Sequence, residues 1–103
     1  MTTKLALPLK VEIYVVDVLL RDLVGHDRSP AAFLVYFSLY ALTYAAGRRS
    51  TRLSLKQLAE RTGLSKSAVQ GALRMLLRRQ LVRSQHSTPT AVPEYFVQRP
   101  WAR

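Results

Sequence analysis

The sequence predicts a mainly α fold with a small β-hairpin, an α+β domain carrying an N-terminal helical extension. Three observations predict it. The chain has 103 residues with 49% apolar and 21% charged types, which suits one globular domain and is too hydrophobic for disorder. Apolar-rich helical stretches follow residues able to cap them, and beyond residue 80 two short strand-forming runs flank a turn-rich tip. With no cysteine, disulfide frameworks, thiolate zinc sites, iron–sulfur clusters and thiol nucleophiles are excluded.

Leu9 to Val24 reads as the first helix, with Lys10, Asp17 and Arg21 on one possible face. Val11, Ile13 and Val15 also alternate as in a strand, so an extended start remains open. Gly25 to Arg28 is a break. Ser29 and Pro30 then start a second helix, because a Ser side chain accepts an orphan amide and Pro at the first position loses no hydrogen bond. It is expected to run to Ala46, ended by Gly47. Phe33, Tyr36, Phe37, Tyr40 and Tyr44 stripe one face as core, while Leu34, Ala41, Leu42 and Ala45 cover another. A helix apolar on nearly every side is buried on nearly every side. One domain of this size does not easily cover it, so part is expected to meet a second subunit.

The stretch Ala31 to Ala46 is sixteen residues, interrupted by Ser38 and Thr43, whereas a membrane span needs about 20. It reads as a core helix. Pro8 breaks the apolar core a signal peptide would need between Met1 and Leu9, so a cytoplasmic location and no membrane partner are expected.

Leu55 to Arg74 (LKQLAERTGLSKSAVQGALR) shows two short helices around a tight turn. Ser54 and Gln57 make a capping box, and Leu53 with Leu58 can staple the entry. Ser65 caps the second helix, with Leu64 and Val69 as its staple pair. Gly63 stands just past the first helix, where a left-handed residue is wanted, and small Ala59 lets the helices approach. Beyond them Leu81 to Gln85 and Glu94 to Gln98 can pair around the tip His86 to Pro93, with Arg52 to Ser54 as a short first strand. The arrangement resembles the winged helix-turn-helix family of bacterial transcriptional regulators, through Ala59, Gly63, Leu64 and Val69 at the family's spacing and over Ser29 to about Gln98. Thr62 departs from it, standing where an apolar residue is commoner. The resemblance implies a DNA-binding domain over residues 29–103, with residues 1–28 as an extension for packing or dimerisation.

Charge agrees with that reading. In residues 1–47 Lys4, Lys10, Arg21 and Arg28 cancel Glu12, Asp17, Asp22 and Asp27, so the whole net charge of +10 lies in residues 48–103. The first half is instead packing surface, with 29 apolar residues among 47. A basic field attracts polyanions. On the second motif helix, Val69, Ala72, Leu73, Leu76 and Leu77 gather on a core side. The other side carries Lys66, Ser67, Gln70, Gly71, Arg74 and Arg78 with no carboxylate. Lys66, Ser67, Gln70, Gly71 and Arg74 are the candidate base-reading set in a major groove. Arg48, Arg49, Arg52, Ser65, Arg78 and Arg83 are the candidate phosphate contacts. A basic face is also what any solvated helix presents, and Gly71 fits either close approach to DNA or a neutral surface position.

His26 and His86 stand alone, so no metal site or acid–base pair can be assembled, and neither catalysis nor a cofactor is expected. The leading expectation is a sequence-specific double-stranded DNA-binding regulator acting as a homodimer by operator occupancy. A replication or partition factor of phage or plasmid type and a protein-interaction module are the alternatives, the latter expected to show little salt-dependent retention on duplex DNA.

Overall fold

The computed structural model describes residues 4–102. After a single 3₁₀ turn, Lys4–Ala6, residues 7–12 have no regular secondary structure, and the chain is helical over residues 13–26. Within that N-terminal helix, Val15–Leu19 and Asp22–His26 are π-helical. The helix that Leu9 to Val24 suggested is therefore present from residue 13, and Val11, Ile13 and Val15 form no strand. Bonds from each N–H to the fifth residue back widen the turn, and Val15, Leu19 and Leu23, four residues apart, all stay on the buried side.

Helix α1 (Pro30–Leu42) starts as expected: Ser29 Oγ accepts the Ala32 N–H at 3.2 Å and Pro30 opens the helix. It ends four residues sooner than Ala46. Thr43 is buried, and its hydroxyl donates to the Leu39 carbonyl at 2.8 Å, competing for an oxygen that a continuing helix would use. A turn follows, and Gly47 at φ +71° closes it in the left-handed region that favours glycine. The aromatic stripe is accordingly only partly core: Phe33, Tyr36 and Tyr40 are buried, Phe37 is half-buried and Tyr44 is exposed.

β1 (Thr51–Arg52), α2 (Leu55–Thr62), α3 (Lys66–Arg78), β2 (Val82–Gln85) and β3 (Glu94–Val97) complete the chain. The hairpin strands pair antiparallel, Val82 opposite Val97 and Gln85 opposite Glu94, and β1 joins the free edge of β3, giving one three-stranded sheet in the order β1-β3-β2. The short first strand lies slightly earlier than Arg52 to Ser54, because Ser54 is committed to capping α2. One apolar cluster unites every layer: Val15 and Leu23 from the N-terminal helix, Val35 and Leu39 from α1, Leu58 from α2, Val69 and Leu76 from α3, and Tyr95 and Val97 from the sheet. Among the described residues no helix is long and apolar enough to cross a membrane.

The termini are clasped over the end of α1. Glu12 accepts hydrogen bonds from Tyr40 Oη (3.0 Å) and Arg99 Nη1 (2.7 Å), and Trp101 stacks on Tyr14 with centroids 4.4 Å apart. None of these contacts was legible in the sequence, since each joins residues far apart in it.

Candidate nucleic-acid interface

The helical pair is built from local signals that all act. Ser54 Oγ accepts the Gln57 N–H at 3.1 Å while Gln57 Oε1 accepts the Ser54 N–H at 2.8 Å, so two orphan amides at the start of α2 are satisfied reciprocally. Gly63 ends the helix at φ 76°, ψ 11°, its N–H donating to Ala59. Thr62 has a use that an apolar residue would lack. Its hydroxyl donates to the Leu58 carbonyl at 2.7 Å and accepts the Leu64 N–H at 3.4 Å, helping to satisfy the backbone through the turn. Ser65 Oγ then caps α3 by accepting the Ala68 N–H at 3.1 Å. Arg61 Nε donates to Ser38 Oγ at 3.1 Å, tying α2 to α1.

With its start fixed, α3 presents two unlike sides. Val69, Ala72, Leu73 and Leu76 are buried against α1 and the sheet. Leu77, expected in the core, is 40% exposed, because it sits at the edge of that side near the helix end. Lys66, Ser67, Gln70, Arg74 and Arg78 are exposed, with Gly71 half-buried among them. Lys66, Gln70, Arg74 and Arg78 follow at four-residue steps, which makes one row along the helix. No carboxylate interrupts α3, and Lys66, Arg74 and Arg78 form no ion pair among the described residues. Arg79 just beyond them is occupied, paired with Asp27. A Cβ on Gly71 would approach only the tip of Arg74, at 3.9 Å, so nothing inside the chain requires glycine there.

The remaining candidate arginines lie elsewhere. Tyr95 and Val97 point into the core, so Glu94 and Phe96, which alternate with them, face the other side of the sheet, as do their cross-strand neighbours. Arg52 pairs there with Glu94 at 3.2 Å, and Arg83 lies over the Phe96 ring, 4.4 Å from its centroid. Arg48 and Arg49 are exposed and border a hollow with Arg83. Lys66, Ser67, Gln70, Gly71, Arg74 and Arg78, with Ser65 at their N-terminal end, thus form one surface, and Arg48, Arg49 and Arg83 another.

Residues 45–86 match the family model described as the IclR helix-turn-helix domain. The fold is a winged helix-turn-helix. The matched stretch holds β1, the two motif helices and the first wing strand, and it is similar to the DNA-binding module of a bacterial transcriptional-regulator family, a regulatory rather than a catalytic module. The N-terminal helix, α1 and β3 lie outside it. No significant match was found among curated proteins or among solved structures.

Proposed function

We propose that this protein is a sequence-specific double-stranded DNA-binding transcriptional regulator that acts as a homodimer by occupying an operator. The observation that carries the reading is the outer side of α3, a row of cations and amide with no acid, projected from the domain by a turn capped on both sides. Lys66, Ser67, Gln70, Gly71 and Arg74 enter the major groove. There Gln70 can pair bidentately with adenine and Arg74 with guanine, and the bare backbone at Gly71 allows close approach. Ser65 and Arg78 at the two ends of the row take phosphates.

Dimerisation is supported by the N-terminal helix. Its buried side completes the core of its own chain, yet Ile13, Val16, Leu20 and Val24 remain exposed on the other side. A helix apolar on both sides has a second partner. A second copy fits, because exposed Asp17 and Arg21, one turn apart, can pair reciprocally across a two-fold axis. Residues 1–28 are then the dimerisation extension and residues 29–103 the DNA-binding domain. Two half-sites about 34 to 36 Å apart supply the specificity that one helix cannot.

The test is a salt titration on fragments selected from genomic DNA with the purified protein. Cations in the groove displace counterions as those on phosphates do, so Lys66, Arg74 and Arg78 from two protomers offset about six phosphate charges, and log affinity should fall with log salt at a slope near about −5. The selected fragments should be palindromic. A flat salt response refutes DNA binding, and asymmetric single sites refute the dimer.

A further inference from the structure

We infer that the outer side of the sheet holds a binding site for a small phosphate-bearing anion, separate from the DNA-reading helix. The hollow there has a volume of about 370 Å³, within the range of small-ligand pockets. Tyr44 forms part of its wall, and Arg48, Arg49 and Arg83 converge on it. No carboxylate lines it, and none of the three arginines forms an ion pair among the described residues. Three positive charges around one concavity with no countercharge call for an anion of charge two or more.

The aromatic residues give these charges direction. The Arg83 guanidinium lies over the Phe96 ring, 4.4 Å from its centroid, and makes no side-chain hydrogen bond or ion pair among the described residues, so its N–H groups are free for a two-point contact with a tetrahedral oxyanion. Such an arginine is ordered before the ligand arrives, so less side-chain entropy is lost on binding. Arg99, 3.8 Å from the Tyr44 ring, is spent on Glu12 and holds that wall in place. Arg83 and Gln98 also border a second hollow of about 580 Å³, lined further by Val82, Ser84, Arg99 and the α3 residue Leu77. The three arginines gather at the first hollow, which points to the phosphate or pyrophosphate group of a small molecule there.

This site does not depend on the DNA reading, since Phe96 and Arg83 face away from the core on which α3 packs. DNA backbone is the competing source of phosphate. The full-length protein, with its arginines ¹⁵N-labelled, is titrated with inorganic pyrophosphate at constant ionic strength, with sodium chloride as control, while the side-chain Nε–Hε signals are followed. Saturable one-to-one shifts at Arg49 and Arg83 are expected, weakened at least about tenfold in Arg83→Gln and less in Arg83→Lys, which keeps charge but loses the fork. Arg49→Gln, on an exposed loop, repeats the test should Arg83→Gln fold poorly. Non-saturating shifts, the same shifts with chloride, or equal response at Arg74 and Arg78 overturn the site. So does a loss of duplex DNA affinity in Arg83→Gln or Arg49→Gln as large as in Arg74→Ala, which would assign these arginines to the DNA backbone.

Discussion

The N-terminal helix and α3 give the same thing to the core and opposite things to the outside. Val15, Leu19 and Leu23 from one, and Val69, Ala72 and Leu76 from the other, close a single apolar cluster. Outward, the first shows Ile13, Val16, Leu20 and Val24, while the second shows Lys66, Gln70, Arg74 and Arg78. An inward side says only that a helix belongs to a fold, because any apolar residue of suitable size serves there. The outward side carries the information about partners. Exposed aliphatic residues in a row lower their free energy by meeting apolar surface, and uncompensated cations do so by meeting a polyanion.

The largest effect should come from spoiling the apolar exterior. Val16→Asp combined with Leu20→Asp leaves the buried side of the helix intact but sets four like charges into the proposed two-fold interface. Light scattering should then report a monomer near 11.7 kDa, with unchanged far-ultraviolet circular dichroism and an operator affinity lower by about 100-fold or more, as bivalent engagement is lost. If the unmodified protein is already monomeric at micromolar concentration and on DNA, the contrast between the two exteriors has no functional meaning.

Next in size are changes to the basic exterior. Arg74→Ala or Gln70→Ala should cost about 1 to 3 kcal/mol on the selected site and relax preference at one base pair. Lys66→Ala sharpens the comparison, because a change in salt slope with undiminished specificity would move it from base reader to phosphate contact. Electrophoretic or fluorescence titration on matched and mismatched duplexes separates the two. Equal losses on specific and random DNA for Gln70 and Arg74 would remove the base-reading role.

Smaller again are the devices that aim α3. Gly63 is left-handed at φ 76°, so Gly63→Ala should cost about 1 to 2 kcal/mol of folding stability. Ser54→Ala breaks one half of the capping box and should cost about 1 kcal/mol. Thermal denaturation measures both. A neutral Gly63→Ala would mean that the turn between the helices relaxes freely and does not fix the direction of the row.

The helix-turn-helix was legible because its signals are local. Ser54, Gln57, Gly63 and Ser65 each act within four residues of their own position, and every one of their bonds is present. The early end of α1 was not legible, since it depends on Thr43 being buried, where its hydroxyl has no water to turn to. The placement of the arginines needed register as well. Only the pairing of Arg83 with Phe96 and of Arg52 with Glu94 shows that these side chains lie across the sheet from the core. The same holds for the exterior of the N-terminal helix. The sequence placed surplus apolar surface on the helix from Ser29 to Ala46, whereas exposed Ile13, Val16, Leu20 and Val24 lie on the N-terminal helix, where the π-helical turns decide which residues remain outside.

The smallest expected effect concerns the clasp that sets the N-terminal helix in place. The Arg99 guanidinium, by its hydrogen bond and then by its charge, and the Tyr40 hydroxyl hold the Glu12 carboxyl below the usual carboxylate range, against the partial burial that opposes them. A group whose folded value is depressed contributes stability that is fully present above its unfolded value, about 4.3, and is lost as pH falls through the lower folded value. Because the Glu12 side chain is about one-third exposed, solvent screens the pair and the contribution is small. Melting temperatures of the natural protein and Glu12→Gln should therefore differ slightly at neutral pH and converge in acid. A difference that stays constant down to acid pH would show that Glu12 acts through packing alone, and the exterior of the N-terminal helix would then be positioned by Trp101 on Tyr14 and by its own buried side.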